Sequence, residues 1–224
     1  MKHIGRVFII ILVIASCLHA AVKVGPWKKI RESQGITSWA RTNSRCSVEE
    51  VLTEGIIDAP IAVVEAILRD VTAQKEFMFL CDEARKIELP EYLNTADIFS
   101  TYFQQGLPWP LSDRYGLGRI EFRIDSATGR IIARGVAVKA DYKLPKPGMV
   151  EMPVGDVTWT LKPEGENKTL LTYQLLADPG GNLPSAVVSM LLKNLGVTTL
   201  KNIRKLAKLP QYRDAKKIVT TTPN

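Results

Sequence analysis

Residues 108–124 read PWPLSDRYGLGRIEFRI, and the two halves of that stretch obey different rules. In the second half Ile120, Phe122 and Ile124 alternate with Arg119, Glu121 and Arg123. Successive side chains on a strand point to opposite faces, so this is a strand with one face on a core and one in water. In the first half Trp109 sits between Pro108 and Pro110, and Leu111-Ser112-Asp113 leads into Arg114. Proline fixes φ and cannot donate a ladder hydrogen bond, so these residues form a loop that feeds the strand.

Working outward, the same alternation returns. Over Asp156–Lys162 it turns Val157, Trp159 and Leu161 inward, and Leu171, Tyr173, Leu175 and Ala177 share a face opposite Thr172 and Gln174. Ile131–Val138 is more uniformly apolar. Turn residues divide these runs at Ala127–Gly129, Pro145–Gly148 and Pro163–Asn167. Upstream, Ile36–Thr42, Val48–Ile57, Arg85–Leu89 and Ile98–Phe103 also read as strands, and Trp27–Arg31 reads as a brief helix. Asp58-Ala59-Pro60 opens a helix whose Ile61, Val64, Ile67 and Leu68 fall on one face, with a second short helix over Thr72–Phe79. A long helix closes the chain from about Leu183 to Leu209, its apolar stripe running through Val187, Leu191, Leu195, Leu200, Ile203 and Leu206. Asn182 is placed to cap it, with Pro184 in its first turn and a kink expected at Gly196. Strands grouped apart from helices give an α+β class, and no repeat or linker divides the chain.

The chain begins with Lys2 and Arg6, then the apolar run Val7–Leu18. That is the pattern of a secretory signal over 1–21, and the run is short for a membrane span of about 20 residues. Ile14-Ala15-Ser16-Cys17 resembles a lipobox, which would lipidate Cys17. Three routes stay open: a lipoprotein, ordinary cleavage after Ala20, and an uncleaved anchor. Each places the domain in the periplasm or outside the cell. The net charge of +7 bears on anionic partners such as lipid head groups. No zinc finger, recognition helix or aromatic RNA-binding motif accompanies it, so nucleic acid is not an expected partner.

Catalytic groups are scarce. The histidines are His3 and His19, both in or beside the leader, so the folded domain lacks the imidazole of Ser-His, Cys-His and common zinc sites. Gly116 and Gly118 form a GxG without the third glycine of a phosphate loop. No cofactor is expected. Cys46 and Cys81 remain as two thiols, which an oxidising compartment could pair and which burial would leave free.

A second unusual segment, Asp178-Pro179-Gly180-Gly181-Asn182-Leu183-Pro184, joins the last strand to the long helix. PWPLSDR followed by DPGGNLP, in this order of strands and helix, resembles the START (steroidogenic acute regulatory protein-related lipid transfer) family. Trp27, Gly35-Ile36 and Arg41 resemble the family's opening, Asp58-Ala59-Pro60 through Asp70 its first core helix, and Cys81–Leu89 its next strand. The resemblance covers 27–209, leaving 210–224 as a basic tail. It implies a helix-grip fold, a curved antiparallel sheet wrapped around the C-terminal helix with an apolar tunnel between. It implies binding, and transfer, of a lipid or other hydrophobic small molecule by a monomer that is not an enzyme. The same fold also serves polyketide cyclases and dehydratases, the alternative function. By position Arg114 matches an arginine that points into the tunnel, Glu83 falls near its carboxylate partner, and Gln104–Ser112 matches a gating loop. Trp109 and Asp113 in that region complete the implied ligand-binding set. Tyr115 departs from the aspartate that many bacterial relatives carry there. A basic face at the C-terminal end also admits contact with a membrane surface.

Overall fold

The computed structural model describes residues 22–215. The expected leader with Cys17, and residues 216–224 of the tail, lie outside the described residues. Ten strands form one sheet: β1 (Lys28–Ser33), β2 (Ile36–Arg41), β3 (Glu50–Ile57), β4 (Cys81–Ile87), β5 (Ile98–Gln105), β6 (Arg114–Asp125), β7 (Arg130–Ala137), β8 (Val150–Glu151), β9 (Val154–Pro163) and β10 (Thr169–Asp178). The helices are α1 (Ile61–Arg69), α2 (Gln74–Phe77), α3 (Ser185–Leu206) and α4 (Pro210–Arg213). The strand order is β1-β2-β3-β10-β9-β7-β6-β5-β4, and β8 pairs in parallel with the start of β6. The other pairings are antiparallel. With α3 packed against the sheet, this is the helix-grip arrangement the sequence implied.

Alternation in sequence becomes burial in space. Leu161, Leu171 and Tyr173 are fully buried, as are Ile36, Ile57 and Ile131 on the same inner face. α1 adds Val63, Val64, Ile67 and Leu68 to that core. Fully burying one such side chain is worth about 1.5–3 kcal/mol. α3 divides into two halves. Its C-terminal half buries Val197, Leu200, Ile203 and Leu206, while no residue from 185 to 195 is fully buried.

Two local readings are corrected. Trp27–Arg31 is not helical: β1 begins at Lys28 and pairs with β2, Lys28 facing Ala40. It is an edge strand, so its charged residues can stay in water and leave no apolar period. Asn182 does not cap α3. Pro184 holds the cap position, its carbonyl accepting from the amides of Val187 and Val188, and Asn182 lies too early to reach them. α3 runs as one helix through Gly196. A Cβ there would stand 1.8 Å from Thr53 Oγ1, so the glycine permits close approach of α3 to β3.

Candidate functional site

Between the inner face of the sheet and the exposed half of α3 lies a cavity of about 170 Å³. Val157 and Trp159 of β9 with Tyr173 and Leu175 of β10 form one wall, and Phe103 of β5 with Gly118 and Ile120 of β6 form another. Met78, Phe79 and Cys81 close the α2 end, and Val188, Leu191, Leu192 and Leu195 of α3 form the roof. The room comes partly from glycines. A Cβ at Gly116 would meet Phe103 Cε1 at 2.5 Å, and one at Gly135 would meet Val157 Cγ1 at 2.6 Å, so large side chains lie flat across these positions.

The wall is chemically simple. Among the described residues Glu49 is its only acidic or basic side chain, and it is partly exposed. Gln105 donates to the Phe79 carbonyl at 3.3 Å, and Thr101 lies 3.5 Å from the Gly118 carbonyl. Burial pushes the Cys81 thiol up to about 12, with Asp82 adding to the shift, so the sulfur stays protonated and unreactive. Tyr173 is fully buried and its hydroxyl has no hydrogen-bond partner. A groove lined by Gly181, Asn182, Ser185, Ser189 and Lys193 shares Val48, Glu49, Val188 and Leu192 with the cavity and forms its vestibule. Among the described residues no cluster of His, Cys, Asp and Glu is placed to hold a metal ion, and no helix is long and apolar enough to cross a membrane.

The four residues singled out from the sequence do not line this cavity. Arg114 is 4% exposed, and its guanidinium donates to the backbone carbonyls of Ser112, Pro179 (3.0 Å) and Gly180 (3.2 Å). Burial draws its pKa below the ordinary guanidinium value, and the Asp113 charge opposes that. The carboxylate of Glu83 pairs with Arg85 of its own strand, so the Arg114–Glu83 pairing is not formed. Asp113 accepts from Gln104 Nε2 at 2.9 Å and faces Lys146 at 3.9 Å. Trp109 is 92% exposed at the loop tip.

Arg114 therefore ties the two unusual segments together. Gly180 and Gly181 stand at φ +66° and +62°, which folds the 178–181 loop back over the start of β6. A Cβ at Gly180 would lie 2.5 Å from the Glu151 carbonyl, so β8 presses on the same loop. Pro179 of that loop is part of the cavity wall. What the sequence reading missed is Tyr173. Its inward register was legible, but its lack of a partner depends on the packing of its neighbours.

No family model matches the sequence. An uncharacterized protein of Pseudomonas aeruginosa is 25% identical over 183 residues, covering 81% of this chain and 86% of that protein. Among solved structures, the STAR-related lipid transfer protein of Xanthomonas axonopodis is 27% identical, covers 81% of this chain and 99% of its own, and superposes with a TM-score of 0.70. Human StAR-related lipid transfer protein 5 has the same fold at 19% identity, with 81% and 86% coverage and a TM-score of 0.69.

Proposed function

We propose, taking as premise that this chain is a START-type helix-grip domain, that its cavity holds one molecule of a lipid or other hydrophobic compound and releases it past the N-terminal half of α3. The observation that carries this reading is the apolar cavity roofed by a half-helix that buries none of its own residues completely. Removing apolar ligand surface from water is worth about 25 cal/mol per Å². A cavity of about 170 Å³ compares with the roughly 150 Å³ engineered apolar cavity that binds benzene, and falls short of a usual ligand pocket of about 300–1,000 Å³. A lipid therefore requires the roof to move outward. Residues 185–195 can do so at low cost, whereas the half carrying Leu200 and Ile203 stays anchored. Arg114 affects binding by holding the 178–181 loop, whose Pro179 is in the wall.

The charged start and apolar run of residues 2–18 support export of this domain, and exposed Trp109 together with Lys146 supports contact with an anionic membrane during loading. Native mass spectrometry of the purified protein tests the binding reading. A single co-purifying hydrophobic molecule, displaced by titrated lipid at one-to-one stoichiometry, is the expected result. Failure of sterol, fatty-acid and phospholipid probes alike to saturate the folded protein, with nothing co-purified, overturns it.

A further inference from the structure

Tyr173 stands on β10 opposite Thr53 of β3 and Trp159 of β9, on the inner face of the sheet. Its ring stacks on Trp159 with centroids 4.1 Å apart, and the side chain is part of the cavity wall. The neighbouring hydroxyl of Thr53 is already bonded to Ser38 Oγ at 2.6 Å. The Tyr173 hydroxyl is thus a polar atom without a partner on a residue of the cavity wall, covered in this structure and reached only when the α3 roof lifts. Buried polar atoms are normally satisfied, and an unsatisfied one marks a place where something else supplies the bond. Ser100 Oγ is also unpartnered, but Ser100 is not in the cavity wall. Among the described residues the wall offers no lysine, arginine or histidine, so a carboxylate or phosphate drawn inside would be buried without a counter-charge.

We propose that the ligand is an uncharged apolar molecule carrying a hydroxyl or carbonyl on its buried part, and that Tyr173 is the residue that selects it by hydrogen bonding to that group. The inference rests on the cavity being the binding site. Tyrosine can donate to a carbonyl or accept from a hydroxyl, so either group satisfies it. Burial also keeps the phenol neutral by raising its pKa, which preserves the donor.

The test compares wild type with Tyr173→Phe in the full chain, using naphthalene, 2-naphthol and 2-naphthoate, which share one body and carry no polar group, a neutral one and a charged one. Fluorescence titration gives each affinity. In Tyr173→Phe the affinity for 2-naphthol falls about tenfold while that for naphthalene stays within about twofold, because only 2-naphthol loses a buried hydrogen bond. In both proteins 2-naphthoate binds no more tightly than naphthalene. The urea midpoint of Tyr173→Phe is at least that of wild type, since the phenylalanine removes an unpartnered hydroxyl and keeps the ring. Equal changes for the two neutral probes, no change for either, or preference for 2-naphthoate would overturn the inference while leaving the binding reading intact. If no probe saturates wild type, the inference falls as well, and the binding reading is then judged on the co-purified molecule alone.

Discussion

Replacing Gly196 with alanine gives the most demanding test of how α3 sits on the sheet. In an isolated helix the change stabilises by about 1 kcal/mol. Here the new methyl would stand 1.8 Å from Thr53 Oγ1, 2.7 Å from its Cβ and 3.1 Å from its Cγ2. Rotating Thr53 can move its oxygen, at the loss of the 2.6 Å bond to Ser38, but it cannot move the Cβ. The helix must lift from β3, loosening the contacts of Val197, Leu200 and Ile203. Overpacking of this kind costs about 1–3 kcal/mol, and the lost hydroxyl bond about 1 kcal/mol more. Against the propensity gain, the net is a destabilisation of about 1–3 kcal/mol. For a chain of this size each kcal/mol lowers Tm by about 2–4 °C. Urea and thermal unfolding followed by far-UV circular dichroism measure it. In a Thr53→Gly background, where all three contacts vanish, the same substitution becomes neutral or stabilising. An unchanged or raised Tm for Gly196→Ala alone would refute the packing argument.

Other substitutions probe the remaining contacts. Arg114→Met leaves three carbonyls without their donor and lowers stability by about 2–4 kcal/mol, and in the protein that still folds it weakens charged, neutral polar and apolar ligands alike. Selective loss of ligands with a polar head would instead return Arg114 to direct ligand contact. Burial alone would raise the Asp70 pKa, but bonds from Thr72, Tyr212 and the amides of Ala73 and Thr72 outweigh it and hold it below the ordinary carboxylate value. The stability Asp70 contributes is therefore complete above its unfolded pKa of about 4 and is lost as pH falls through the lower folded value. Urea midpoints from pH 6 down to pH 2.5 show that loss in wild type and a smaller one in Asp70→Asn. Cys81 and Cys46 both have raised pKa values, chiefly through burial, so both alkylate slowly at pH 8 in the folded protein and fast in urea. Non-reducing intact mass after denaturing alkylation finds two labelled thiols from residues 22–215, and a mass without them would refute their unpaired state.

The central strands were legible because each has one face on the core and one in water. β10 carries that alternation in its burial over Thr169–Tyr173, and β6 and β9 carry it in their sequence over Arg119–Ile124 and Val157–Leu161. β1 carries KKIRES at the sheet edge, where hydrogen bonds to β2 suffice and no apolar face is demanded, so its sequence leaves no period. β8 is two residues long and exists only because it docks on Arg114 and Tyr115. The inward course of Arg114 could be read, but its partners could not. Besides the nearby Ser112 carbonyl they are carbonyls 65 and 66 positions downstream, presented by a loop that two left-handed glycines turn back. The same limit hid the reason for Gly196, whose neighbour Thr53 lies on another element.

The pairing of β3 with β10 sets the order in which this chain can assemble. It joins Glu54 to Thr172, residues 118 apart, and every strand between them belongs to the other flank of the sheet. The hairpins β1-β2-β3 and β4-β5-β6-β7 can form from neighbours in sequence. The seam between the two flanks must wait for β9 and β10. Long-range pairing pays its loop-closure entropy before contacts reward it, which places this chain among slow folders. Until residue 175 is available, β3 is a bare edge with Val51 and Ile57 exposed, open to strand addition from another chain. Cutting the chain anywhere between β7 and β10 therefore yields an aggregating fragment rather than a smaller domain. A partner that keeps nascent chains apart acts most on the interval between synthesis of β3 and of β10.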